Sequence, residues 1–321
     1  MNMDILIVKL GALGDVVNTL PLAIRLKSHF NARIHWITEP LSLPLLSRHP
    51  QVDRTILLDR SSLRSSLYEV VREIRDLRFD VALDLQRIVK SALLCMAASA
   101  GRRVGFDRRR CKEMTWIMPF ERIVPADPSA HMVEQYLEFA RHLGAGDAEV
   151  KWNIPEGEIP PGGLPEDYIV LNIGATKPAN RWSPEGFARL TQLLATRRHL
   201  PCVLTGGRED MPAAARIMAL AAGSAIDLAG KTTIPQLIGV LSGARAVVSC
   251  DTGPMHLAVA LGKEVVALFG PADPRRTGPY LGQVVRASLP CAPCNRRTCE
   301  NPVCMQSITP EDVMEKIDCV L

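Results

Sequence analysis

The chain has 321 residues, 47% of them hydrophobic, and a net charge of +4, which describes a soluble globular protein more readily built as two domains than as one. So modest a charge does not imply a nucleic-acid partner. Nothing reaches the ~18 uncharged apolar residues of a membrane span and no signal peptide opens the chain, so a cytoplasmic location is expected.

Residues 4–10, Asp4-Ile-Leu-Ile-Val-Lys-Leu10, read as a continuous apolar strand that breaks at Gly11-Ala-Leu-Gly14-Asp15 before a helix predicted from about Val16. Two glycines there let the backbone fold sharply, but the third glycine of a dinucleotide fingerprint is absent. Asp15 puts a carboxylate at this strand-to-helix turn, where it can face a cleft or simply cap the helix. Strands are predicted over 33–38, 54–59 and 80–85, with a polar amphipathic helix over 63–77 and an apolar helix over 89–100. Arg102, Arg103, Arg108, Arg109, Arg110 and Lys112 then crowd together with only Asp107 among them. Such a segment is either a local anion site or a solvated loop.

Residues 131–143 carry apolar side chains at helical spacing and stop at Gly144-Ala-Gly146. The stretch from Pro155 to Pro165 is the richest in proline and glycine and reads as an interdomain linker. A second alternating series follows. A strand over 168–173 opens into a loop carrying Thr176, Lys177 and Arg181, and then into a helix capped by Ser183 and begun by Pro184. A strand over 201–205 ends in Gly206-Gly207; a helix over 212–222, a short strand over 225–228 and a helix over 234–241 come next.

The apolar run from Val247 then meets Cys250-Asp251-Thr252-Gly253-Pro254-Met255-His256, which reads as a buried strand, a tight turn and a helix beginning at Pro254. A helix N-terminus at the carboxyl edge of a sheet can hold a phosphate through its unpaired N–H groups and its dipole. Gly253 allows close approach of the ligand, and His256 adds a hydrogen bond or a proton. The plainer alternative is a strand-to-helix connection capped by Asp251 or Thr252. Residues 264–269 form the last strong strand, before Gly270-Pro-Ala-Asp-Pro274. Strands alternating with helices imply an α/β fold with mostly parallel sheets, and two such sheets in tandem would place their strand ends around one crevice.

Gly11-Ala-Leu-Gly-Asp15-Val, Gly105-Phe-Asp-Arg108, Gly174-Ala with Arg181-Trp-Ser-Pro184, Asp251-Thr-Gly-Pro-Met-His256 and Gly270-Pro-Ala-Asp-Pro274 occur in the order found in glycosyltransferase family 9. The chain resembles these ADP-heptose:lipopolysaccharide heptosyltransferases over essentially its whole length. The resemblance implies a GT-B architecture: a Rossmann-like acceptor domain at 1–154, a linker at 155–166 and a Rossmann-like donor domain at 167–321, with room for the C-terminal helix to cross back to the first domain. It implies an inverting transfer of heptose from an ADP-activated donor to a lipopolysaccharide inner-core acceptor, with Asp15 as the base. Thr176, Lys177, Arg181, Gly206, Gly207, Asp251, Thr252, Gly253 and His256 would contact the donor. Arg108, Arg109 and Arg110 would meet the anionic acceptor, which is compatible with peripheral contact at the inner membrane. Family members often place a Lys two residues before the Trp, whereas this chain has Asn180, so Lys177 or Arg181 would supply the cation at the diphosphate. No cofactor is expected for catalysis.

Cys291, Cys294, Cys299 and Cys304 form a C-x2-C-x4-C-x4-C array. Four thiolates at such spacing are compatible with a structural zinc or iron, or with unliganded reduced thiols, and bound iron is known in an autotransporter-modifying branch of the family. Two other functions remain open on the sequence alone: a nucleotide-sugar epimerase of similar fold, and a redox or metal sensor built on these cysteines.

Overall fold

The computed structural model describes residues 3–221 and 223–321. Residues 1–2, at the head of the first predicted domain, and residue 222, the last of the helix predicted over 212–222, lie outside the described residues. The chain divides into two compact units, Met1–Pro155 and Glu156–Leu321.

The first unit runs β1 (Asp4–Val8), α1 (Leu13–Phe30), β2 (Arg33–Thr38), α2 (Leu43–Leu46), β3 (Arg54–Leu57), α3 (Leu63–Asp76), β4 (Phe79–Asp84), α4 (Val89–Ala97), β5 (Ala100–Gly105), β6 (Glu121–Arg122) and α5 (Met132–His142). Its strands are parallel in the order β3-β2-β1-β4-β5-β6. The central strand β1 has Ile5, Leu6, Ile7 and Val8 fully buried. Burial on both faces is what makes it an unbroken apolar run in the sequence. Helix α3 instead buries one stripe, Ser66, Val70 and Ile74, at four-residue spacing. Helix α1 starts at Leu13, earlier than the predicted Val16, with Ala12 as its N-cap. Asp15 therefore sits in the first turn and is not the cap.

The second unit runs β7 (Ile169–Asn172), α6 (Pro184–Arg198), β8 (Cys202–Thr205), α7 (Met211–Leu220), β9 (Ala225–Asp227), α8 (Ile234–Gly243), β10 (Ala246–Cys250), α9 (Gly253–Ala260), β11 (Glu264–Phe269), α10 (Pro274–Thr277), β12 (Gln283–Arg286), α11 (Val303–Gln306) and α12 (Pro310–Asp318). Its parallel order is β12-β11-β10-β7-β8-β9. In each sheet the first strand of the unit lies at the centre and the order reverses beside it, as in doubly wound nucleotide-binding folds. Helix α9 begins at Gly253, one residue before the predicted Pro254. The linker segment is tied to the second unit, where Glu158 N donates to Pro235 O at 2.9 Å. Helix α12 packs within the second unit: Val313, Met314 and Ile317 join Leu190 and Leu194 of α6 in one core, and Arg198 Nε donates to Asp318 Oδ1 at 2.9 Å. Among the described residues no helix is long and apolar enough to cross a membrane.

Candidate functional site

In the first sheet the order reverses between β1 and β4, and the loops leaving their carboxyl ends, 9–12 and 85–88, flank that point. Leu10 N donates to Gln86 Oε1 at 3.3 Å and links the two loops. Asp15 is presented here by the first turn of α1, its side chain 40% exposed. Lys9 Nζ lies 3.3 Å from Asp15 Oδ2, and Tyr136 Oη donates to Asp15 Oδ1 at 3.3 Å. The ammonium of Lys9 also stands 5.1 Å from the centre of the Tyr136 ring. Trp36 Nε1 donates to the Lys9 carbonyl at 2.9 Å, which fixes the loop from beneath. Burial works against the charge of Lys9, but Asp15 and Tyr136 outweigh it and hold the ammonium above the ordinary lysine range. Burial, joined by the Asp15 carboxylate, pushes the Tyr136 phenol up.

The sequence did not single out Lys9 or Tyr136. Lys9 falls inside an apolar run, although a lone cation at the end of such a strand is itself a signal. Tyr136 lies on α5, far along the chain, and nothing local marks it. Beneath the second loop, the buried carboxylate of Asp84 accepts from Ser91 Oγ at 2.7 Å, Gln86 N at 3.2 Å and Arg87 N at 3.3 Å. Burial pushes its pKa up.

The three consecutive arginines diverge. Arg108 and Arg109 are exposed, and the Arg108 guanidinium lies 4.4 Å above the Trp116 ring. Arg110 is buried, ion-paired with Asp107 and, at 2.6 Å, with Glu138. Asp107 also accepts from Arg109 N at 3.0 Å, so it organises the turn rather than diluting the positive charge. The segment expected to meet an acceptor thus presents Arg108 and Arg109 outward, while Arg110 is taken up by internal pairing.

In the second sheet the order reverses between β7 and β10. The loop after β7 carries Thr176, exposed, and Lys177 and Arg181, half-buried. The turn after β10 carries Asp251, Thr252 and Gly253. Asn180 Nδ2 donates to Asp251 Oδ2 at 3.1 Å and joins the two loops. A lysine at position 180 would set a full charge against Asp251; Asn180 offers it an uncharged donor instead. Thr252, the N-cap of α9, makes no side-chain capping bond, so the N–H groups of the first turn are not closed off by it. His256 is buried in that first turn.

Arg181 NH1 lies 2.7 Å from Asp210 Oδ1, and Gly207 N donates to Asp210 Oδ2 at 2.8 Å. Asp210 is 2% exposed, and a side chain at Gly174 or Gly206 would collide with it. One buried carboxylate thereby gathers the glycine turns after β7 and β8, a role the sequence did not reveal. Behind them Asn172 Nδ2 donates to Ser249 Oγ at 3.0 Å, and Thr205 Oγ1 donates to Asn172 Oδ1 at 3.3 Å, which ties β7, β8 and β10 together inside the core. Trp182 is structural: its Nε1 donates to Ile308 O at 3.0 Å, and its ring meets Phe187 edge-on at 4.9 Å.

Of the clustered cysteines, Cys291, Cys294 and Cys299 are exposed and Cys304 is buried. Burial first, then the neighbouring Cys291 and Cys294, pushes the Cys304 thiol up. Among the described residues no three His, Cys, Asp or Glu side chains are gathered in a group able to hold a metal ion.

Residues 67–304 match the model of glycosyltransferase family 9 (heptosyltransferase). The chain is 25% identical over 291 residues to the lipopolysaccharide core heptosyltransferase OpsX of Haemophilus influenzae, covering 85% of this chain and 81% of that one. It is 26% identical to lipopolysaccharide heptosyltransferase 1 of Pseudomonas aeruginosa, covering 99% of this chain and 98% of that one. The structure of Escherichia coli heptosyltransferase WaaC with ADP superposes with a TM-score of 0.80 at 25% identity, covering 99% of this chain and 100% of that one. These matches support a transferase over an epimerase of similar fold, and with its two Rossmann-like units of GT-B type the chain belongs to glycosyltransferase family 9, the heptosyltransferases.

Proposed function

We propose that the chain is an inverting glycosyltransferase that moves a heptose from an ADP-activated donor, held by the second unit, to a lipopolysaccharide inner-core acceptor, held by the first. The observation that carries this is the Asp15 carboxylate, exposed at the switch point of the first sheet and fixed there by Lys9 and Tyr136. Asp15 takes the proton of the acceptor hydroxyl as its oxygen attacks the anomeric carbon from the face opposite the diphosphate. The bond from that carbon to the diphosphate oxygen breaks, and the electron pair leaves with ADP.

The charge gained by the departing diphosphate is met by fixed donors: the N–H groups of Thr252 and Gly253, the dipole of α9 and a cation from the loop after β7. Lys177 fits that cationic role better than Arg181, which already pairs with Asp210. Asp251 and His256 orient the turn and reach sugar hydroxyls, while Thr176, Gly206 and Gly207 line the nucleotide's approach. No step requires a metal. Asp15→Asn tests the base: transfer should be abolished while ADP still binds, and undiminished turnover would place the base elsewhere.

The same unit supports peripheral contact with an anionic membrane surface. Met114, Trp116 and Ile117 are 62%, 41% and 57% exposed beside the exposed Arg108 and Arg109, a pairing of apolar and basic groups suited to a headgroup region. Flotation with vesicles containing anionic lipid should carry the protein upward, and Trp116→Ser should reduce it. Equal flotation with neutral vesicles would remove the electrostatic part.

A further inference from the structure

Two cations stand at the switch point of the first sheet, and they are treated differently. Lys9 has its carboxylate in Asp15. Arg87, in the loop after β4, is 8% exposed, its Nε has no hydrogen-bond partner, and among the described residues it enters no ion pair. Its backbone is left-handed, with φ at 66°, a conformation that costs a residue with a side chain. The contact the guanidinium does make is with the face of Phe106, 4.8 Å away. Such stacking offsets only part of the desolvation of a cation.

The position is nevertheless strongly enforced. Arg87 N donates to the buried Asp84 carboxylate at 3.3 Å, and Gln86, its neighbour, joins the loop to Leu10. Arg87 lies close enough to Lys9 and Tyr136 to act on both electrostatically, and both of those touch Asp15. A desolvated guanidinium without a carboxylate of its own keeps N–H groups to offer, and its planar fork can grip a carboxylate or phosphate with two bonds.

We propose that Arg87 is a specificity-determining residue that binds an oxyanion of the acceptor, carboxylate or phosphate, next to the hydroxyl that Asp15 deprotonates. This rests on Asp15 being the base of a glycosyl transfer. It explains together why the guanidinium lacks a carboxylate of its own, why Nε is left without a partner and why an arginine is held where glycine would be more comfortable.

The test uses the full chain with three acceptors: a de-acylated inner-core oligosaccharide with its sugar-acid carboxylates and phosphates, its carboxyl methyl ester, and its dephosphorylated form. Binding is measured by calorimetry and transfer by ADP release. Arg87→Gln should raise the acceptor KM about 30-fold or more, with ADP affinity unchanged and partial recovery in Arg87→Lys. Esterification should weaken the wild type by a similar factor and leave Arg87→Gln indifferent if the oxyanion is a carboxylate; dephosphorylation should do so if it is a phosphate. Arg87→Gly, which suits the left-handed backbone, should lose the same discrimination without melting earlier, so that misfolding cannot account for the loss. If Arg87→Gln still discriminates all three acceptors as the wild type does, the proposal is overturned. Undiminished turnover in Asp15→Asn would remove the base while leaving the oxyanion contact standing on the binding data. Failure of the wild type to bind any of the three would remove both.

Discussion

Lys9 Nζ lies 3.3 Å from Asp15 Oδ2, yet the two side chains are unequally buried, 3% exposed for the lysine and 40% for the aspartate. A pair of this kind breaks asymmetrically. Removing Asp15 strands an ammonium in the interior, whereas removing Lys9 leaves a carboxylate that water can reach. Asp15→Ala should therefore destabilise the protein by about 3 kcal/mol, and Lys9→Met by about 1 kcal/mol. Urea unfolding of the two variants is the comparison to make, and equal losses would mean that Lys9 is solvated in solution. Lys9→Met should also slow transfer while sparing ADP affinity, because it loosens the base and leaves every residue assigned to the donor unchanged.

The pH dependence of that pair has a definite sign. The folded pKa of Lys9 is raised: burial opposes the charge but is outweighed by Asp15 and Tyr136. The stabilisation it brings is therefore fully present below the unfolded lysine value of about 10.4 and is lost as pH rises through the folded value. Between pH 6 and 9 the difference in melting temperature between wild type and Lys9→Met should be constant. Above pH 10.5 the wild type should lose stability faster than the variant, and the difference should close. A difference that changes near neutrality would point to another titrating group.

Much of this was legible in the sequence, and what was not has physical causes. Strands β1, β10 and β11 could be read because burial on both faces leaves largely apolar runs with sharp ends. Strand β12 lies at the edge of its sheet with only Val285 of its four residues buried, and β6 is two residues long, so neither leaves a pattern. Asp15, Gly253 and the glycine turns announced themselves by their place between a strand and a helix. Their supports did not: Asp210 reads as an ordinary acidic residue in a polar turn, and Tyr136 as one apolar position of α5. What makes each of them matter is a partner supplied by another loop or helix, which spacing alone does not encode.

Arg108, Arg109 and Arg110 look interchangeable in the sequence and differ in the fold. Arg110→Ala would leave Asp107 and Glu138 without their buried cation and should cost about 3 kcal/mol of stability, with lower expression as the visible consequence. The double change Arg108→Ala with Arg109→Ala removes two exposed cations and should leave stability within about 0.5 kcal/mol. It should raise the acceptor KM several-fold while ADP affinity is kept, and it should flatten the dependence of that KM on salt. Equal losses of acceptor and ADP binding would refute the assignment of acceptor to the first unit and donor to the second.

The choice between Lys177 and Arg181 as the cation at the diphosphate can be settled by separating binding from stability. Arg181 lies 2.7 Å from Asp210, whose side chain is 2% exposed. Arg181→Ala therefore leaves a buried carboxylate uncompensated, and the protein should lose about 2 kcal/mol or more. Lys177 carries no ion pair among the described residues and precedes the short 3-10 turn Pro178–Asn180, so Lys177→Ala should melt where the wild type does. If Lys177 meets the diphosphate, its loss should weaken ADP about tenfold, in line with one charge-assisted contact, and weaken AMP much less, because the second phosphate is missing. Arg181→Lys would keep the charge opposite Asp210 and should recover most of the lost stability. Should ADP affinity follow Arg181 and ignore Lys177, Asp210 would have to release its guanidinium when the donor binds. In that case, Asp210→Asn would tighten ADP rather than weaken it.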